Sequence, residues 1–310
     1  MLDVWEMNAE KRIAVQLNAQ YIPIGDESCT LSRFIGSMIR KFSFAPIDYT
    51  SWKEMPIKKI SEMWDVVESK FQFVPYKDES DEEITEEMLQ KQFKVAKSWV
   101  FKNMSGKWRQ WKNYLKSTGF DPSKTVDEMA EELLDSRVDK DQFKKIVGYW
   151  CSEKAKEISI INQANRLKLE EPHCTGTKSF ARIMDEKSKD ANGIPPSRAQ
   201  MYILSRTKKE GTIVSQKAAE VVEQMKIHMN DSSDSSNKNG WSWENDVYAK
   251  VKGPEKRGRV RCVGDVYASS SKSGSSTQRN EEVLSLKSYV NGLEQKLELQ
   301  SQVINQHHKY

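Results

Sequence analysis

The stretch QKQFKVAKSWVFKNMSGKWRQWKNYLK, residues 90–116, decides how the chain is read. Within it Phe93, Ala96, Val100, Met104, Trp108, Trp111 and Leu115 recur at intervals of three and four, the spacing of one helix face. Its eight Lys and Arg residues stand without a single Asp or Glu. The pattern predicts a long amphipathic helix, with Gly106 as a weak point where it could divide in two. Trp108 and Trp111 share the apolar phase, so they read as core rather than as stacking platforms for single-stranded bases. The cations are then expected to face out.

Immediately before this stretch, Asp78 to Glu87 holds seven acids, which read as a solvated run favoured by the positive end of the helix dipole. Working outward, Leu31, Phe34, Ile35, Met38, Ile39 and Phe42 predict an amphipathic helix limited by Pro46. A second follows Pro56, with Ile57, Ile60, Trp64, Val67 and Phe71 on one stripe. Thr125 with Glu128 and Asp139 with Gln142 have capping-box spacing and announce two more helices. In the latter, Phe143, Ile146, Val147 and Trp150 form the buried stripe. Further helices are expected at 177–190, 197–209 and 215–229, the last with Ala218, Val221, Val222 and Met225 on one face. Strand signals are scarce. The fold class expected is mainly α, a helical body with disordered linkers and a short C-terminal coiled coil.

Composition sets the outer limits. The chain has 310 residues, 37% hydrophobic and 30% charged, with a mean hydropathy of −0.75 and a net charge of +4. No apolar run approaches a membrane span and the N-terminus lacks a secretory layout, so no membrane partner and an intracellular location are expected. Cys29, Cys151, Cys174 and Cys262 form no CxxC pair, and no disulfide framework or metal site is signalled. There is no Gly-rich phosphate loop and no GxSxG, and His173, His228, His307 and His308 have no metal or triad spacing. Neither a cofactor nor a catalytic residue is therefore assigned. His173 beside Cys174 reads as an ordinary loop pair.

Four segments are expected: an N-terminal helical segment (1–50), a helical region (51–229), a disordered basic linker (230–280) and a coiled coil (281–306). Residues 230–240 are Asn, Asp, Ser, Lys and Gly only, and such a run buries too little apolar surface to offset ordering entropy. In the last segment Val283, Leu286, Val290, Leu293, Leu297 and Ile304 alternate at heptad spacing, with Gln300 at one seam position. Self-association or a solitary helix would both fit a seam this short.

The cations supply the binding hypothesis. Lys97, Lys102, Lys107, Arg109, Lys112 and Lys116 are candidate phosphate contacts, because an acid-free positive surface releases condensed counterions from a polyanion. Lys256, Arg257, Arg259 and Arg261, spaced by Gly258, suit a flexible arm along a phosphate backbone or in a minor groove. A nuclear localisation signal is a compatible reading of the same cluster.

The order of motifs adds a resemblance. Gly25, then LSRFIGSMI (31–39), WKEMPIKKISEMW (52–64), WRQWKNYL (108–115), YWCSEKAKEIS (149–159), NQANRLKLEEPHCTGTKSFARIMDE (162–186) and GPEKRGRVRCVG (253–264) together resemble the plant transposases of the Ptta/En/Spm type, products of CACTA-class DNA transposons. The resemblance runs from Trp5 to Gly264. It implies a nuclear protein recognising transposon-end or other DNA, with strand transfer supplied by a separate catalytic transposase. The chain begins almost at the first motif, which predicts an N-terminus shortened by gene prediction or element decay. The spaced tryptophans Trp64, Trp108, Trp111 and Trp150 are also similar to those of Myb-like and trihelix DNA-binding helices, an analogy only. The competing expectations are a protein-interaction scaffold working through 281–306 and a strand-transferring recombinase.

Overall fold

The computed structural model describes residues 2–8, 11–77, 83–133, 135–176, 178–231, 246–255 and 260–263. The expected arm residues Lys256, Arg257 and Arg259, the heptad segment 281–306 and most of the expected linker lie outside the described residues.

The long basic stretch forms one continuous helix. Thr85 caps it by accepting from the Met88 N–H, and Glu86 and Glu87 occupy its first turn, where the dipole favours acids. This helix, α4 in chain order, runs Glu86–Gly119, about 51 Å at 1.5 Å per residue. Gly106 does not break it, since buried residues on both sides hold the helix through the weak point. Before it come α1 (Leu2–Trp5), β1 (Ile13–Gln16), α2 (Gly25–Ile39), α3 (Ile57–Lys70) and β2 (Phe71–Val74). After it come α5 (Val126–Glu131), α6 (Lys140–Cys151), α7 (Glu153–Leu167), α8 (Phe180–Asp190), α9 (Arg198–Arg206), α10 (Gln216–Asp231) and α11 (Val247–Lys252).

Three apolar cores follow one another along the chain. In the first, Leu31, Phe34, Ile35 and Met38 of α2 and Met63, Trp64 and Val67 of α3 pack against Val100, Met104 and Trp108 of α4. Segment 1–50 thus shares its interior with the helices that follow it. The last turns of α4 serve a second core, where Trp111 and Leu115 meet Met129 of α5 and Phe143, Ile146, Val147 and Trp150 of α6. A Cβ on Gly119 would stand 3.1 Å from Phe143 Cζ, so the glycine admits α6 to the end of α4. The third core joins Met184 of α8, Met201 and Tyr202 of α9, Val221, Val222 and Met225 of α10 and Tyr248 of α11.

The mainly helical class holds, with one departure from an all-α body. β1 and β2 pair in parallel, Ile13 opposite Phe71 and Val15 opposite Phe73. Four residues are too few for alternation to stand out in a sequence, and α2 and α3 provide the long crossover that a parallel pair requires. Phe71 accordingly opens β2 instead of closing the α3 stripe, while Ile57 and Phe42 are exposed. Both capping predictions hold, Thr125 with Glu128 as a full box and Asp139 accepting from the Gln142 N–H. α7 was not expected. Ala155 is its one buried residue, and Ile160 and Ile161 are 66% and 58% exposed, so its apolar positions never formed a core-facing stripe.

Candidate nucleic-acid interface

The cations of α4 divide by their angular position on the helix. Lys91, Lys102, Arg109 and Lys116 recur at intervals of 11, 7 and 7, which returns each to nearly the same angle. Val100, Met104, Trp108 and Trp111 lie on the opposite side, where the cores bury them. Lys91, Lys102 and Arg109 are exposed and Lys116 is half-buried. The Lys116 ammonium stands 5.5 Å from the Phe120 ring centre and 5.8 Å from that of Trp150, near the second core. Lys94 is exposed beside this ridge.

The remaining candidates on α4 do not face out. Lys97 is half-buried, its ammonium 4.7 Å from the centre of the Trp64 ring. Lys112 is buried, donates to the Tyr49 carbonyl and sits 4.1 Å over the Trp108 ring. Burial pushes its pKa down to about 8, although Glu54 and Asp48 pull the other way. The expectation that all the lysines point to solvent is corrected here. The segment between α2 and α3 covers this side of α4 and places the Tyr49 carbonyl, Asp48 and Glu54 around Lys112. Trp108, by contrast, fulfils its expected core role, with its indole N–H donating to the Pro46 carbonyl at 2.9 Å.

Lys107 lies on the core side of α4, at nearly the angle of Val100, and runs toward α2. Its aliphatic stem crosses Gly36, where an added Cβ would lie 3.5 Å from Lys107 Cδ. It borders a cleft of about 330 Å³ with Arg40, Trp111, Tyr114 and Arg137. Burial lowers the Lys107 pKa, and the Arg40 guanidinium lowers it further. Arg40 and Arg137 were not singled out in the sequence. Neither belongs to a cationic run there, Arg40 having only Lys41 beside it, and only the fold brings them to Trp111, with guanidinium carbons 5.6 and 4.9 Å from its ring centre.

Arg261, read as part of a flexible arm, is instead packed into the third core region. It pairs with Glu255 at 3.2 Å, donates to the Gly253 carbonyl at 2.9 Å and lies 5.2 Å from the Tyr248 ring centre. Its neighbour in that core, Arg198, bridges Asp246 at 2.7 Å and Glu255 at 2.6 Å. The His173–Cys174 pair is a loop contact, Cys174 N–H donating to the Ser205 carbonyl at 2.8 Å and His173 standing 6.1 Å from Phe180. Among the described residues no group of three or more His, Cys, Asp or Glu is placed to hold a metal ion.

Comparison with known proteins bears on the later part of this architecture. Residues 139–270 match the family described as plant transposase (Ptta/En/Spm family). The match takes in α6 to α11 and bears out the resemblance drawn from motif order over that stretch, which marks the protein as transposon-derived. The α4 helix lies ahead of it. No curated protein and no solved structure matches the chain.

Proposed function

We propose that this chain, a transposon-derived protein with a plant-transposase region, binds duplex DNA through the outer ridge of α4 and carries no catalytic centre of its own. The observation that carries the reading is the ridge itself. Lys91, Lys102, Arg109 and Lys116 lie along one side of α4, opposite the buried side, in a stretch without any acid. From Lys91 to Lys116 the ridge extends about 37 Å at 1.5 Å per residue, close to one turn of B-DNA at roughly 34–36 Å. A rigid helix held by two cores presents these charges without first having to order them, which lowers the cost of association.

Phosphate contacts position a protein on DNA but carry no sequence information. Recognition of a transposon end or other nuclear DNA therefore calls for further contacts, to which Lys256, Arg257 and Arg259 add charge. Strand transfer falls to a separate catalytic transposase, and the 281–306 heptads supply self-association. A nuclear location follows from the same role.

The test is fluorescence anisotropy with labelled duplex DNA between 50 and 200 mM salt. The triple variant Lys91→Gln, Lys102→Gln, Arg109→Gln should bind more weakly at every salt concentration. Its log K against log salt slope should be shallower by about 2.7, because each phosphate that a cation no longer neutralises takes roughly 0.9 from the slope. An unchanged slope would refute the ridge. Absence of DNA binding at low salt, together with a stable oligomer, would replace this reading with the scaffold role.

A further inference from the structure

The cleft between α2, α4 and the turn before α6 has the makings of a specific anion site, and it lies on a different side of α4 from the ridge. Its three cations come from separate parts of the chain. Arg40 caps the C-terminus of α2, Lys107 rises from the middle of α4, and Arg137 belongs to the turn leading into α6. The Phe42 N–H donates to the Arg137 carbonyl at 3.1 Å and docks that turn against the end of α2.

The charge inside the cleft is only partly compensated. Asp135 is held by Arg137 through two hydrogen bonds, 2.8 Å to Nε and 2.5 Å to one terminal nitrogen, so its carboxylate is already engaged. Among the described residues, no carboxylate forms an ion pair with Arg40 or Lys107. Arg40 beside the half-buried Lys107 ammonium is a like-charge pair without a carboxylate of its own, and an anion held between them would relieve the repulsion.

The site is also preorganised. Both guanidiniums lie against the Trp111 ring, which fixes their planes; the Arg40 fork matches the oxygens of a phosphate, and Arg137, with Nε and one terminal nitrogen held by Asp135, offers its other terminal nitrogen. Tyr114 stacks on Trp111 with ring centres 5.4 Å apart and planes within 12°, and is itself 52% exposed at the rim. At about 330 Å³ the cleft exceeds what a bare ion needs and falls at the lower end of small-molecule pockets, roughly 300–1,000 Å³. An exposed aromatic ring next to a phosphate subsite offers a stacking surface for an attached base.

We propose that this cleft binds the phosphate of a nucleotide, either free or at the end of a DNA strand, with Arg40, Lys107 and Arg137 as its donors and Tyr114 as the base platform. The proposal stands independently of the α4 ridge, whose residues it does not use.

The test is calorimetric titration of the full chain at low salt with thymidine monophosphate, thymidine, and a short single strand bearing either a 5′-phosphate or a 5′-hydroxyl. Thymidine monophosphate should bind at least about tenfold more tightly than thymidine, the equivalent of about 1.4 kcal/mol. Lys107→Gln should remove that preference. Gly36→Met should remove it too without altering charge, because the atoms nearest to a Cβ at that position belong to Lys107. Lys107→Arg should keep it, as should the ridge double variant Lys102→Gln, Arg109→Gln. A gain for the phosphorylated strand over the hydroxyl strand identifies a strand end as the source, and no gain identifies a free nucleotide. The proposal is overturned if neither phosphate-bearing probe outcompetes its phosphate-free counterpart, or if Lys107→Gln and Gly36→Met both bind as the wild type does. A failed ridge would show separately, as unchanged duplex binding in the ridge variant.

Discussion

Lys112 should make this protein more stable in mild alkali, and Lys112→Met should abolish that gain. The side chain is 9% exposed and its ammonium is held between the Tyr49 carbonyl and the Trp108 ring. Its folded pKa is about 8 against an ordinary lysine value of 10.5. A folded pKa below the unfolded one means that the unfolded chain binds the extra proton between these two values, so stability rises with pH across that window. The full shift corresponds to about 3.4 kcal/mol, of which about 2.5 kcal/mol would appear between pH 7 and pH 10. The site is not sealed from water, and solvent screening reduces the expected rise to about 1–2 kcal/mol. Urea unfolding at both pH values, for wild type and Lys112→Met, isolates this group, because every other titration is common to the two proteins. The wild type should gain about 1–2 kcal/mol relative to the variant on going to pH 10. Parallel pH dependence would refute the inward placement of Lys112. Duplex binding at pH 7 should be little changed by Lys112→Met, unlike the ridge substitutions.

Arg198→Met should destabilise the third core by about 3 kcal/mol, because removing a buried cation leaves Asp246 without its ion partner and Glu255 with Arg261 alone. Hydrogen exchange should accelerate at the Tyr248 and Ala249 amides while α2 and α4 stay protected, and uniform loss of protection would contradict a separate third core. Gly106→Ala should raise stability by about 1 kcal/mol, since an added Cβ meets nothing within 4 Å and the residue lies inside a regular helix. A lower urea midpoint would show that the backbone there is not helical.

Much of the helical framework was legible in the sequence because its determinants are local. The apolar spacing from Ala96 to Leu115, the caps at Thr125 and Asp139, and the stripe Phe143, Ile146, Val147 and Trp150 all act within a few turns. The β1–β2 pair escaped for the converse reason. Ile13–Gln16 and Phe71–Val74 gain their structure from each other, and four residues carry no local signal. α7 escaped because its isoleucines face solvent and trace no buried stripe.

Sequence by itself determined that α4 would be a long helix rich in positive charge, with Trp108 and Trp111 inside. Periodicity and the absence of acids are properties of the chain alone. Only the tertiary structure decided what each cation does, because direction depends on which side of the helix other elements cover. Lys102 and Arg109 are exposed, Lys112 is covered by the segment between α2 and α3, and Lys107 is turned toward α2. The meeting of Lys107 with Arg40 and Arg137 around Trp111 likewise depends on three distant segments docking together, and charge brought together by docking leaves no periodic trace in the sequence.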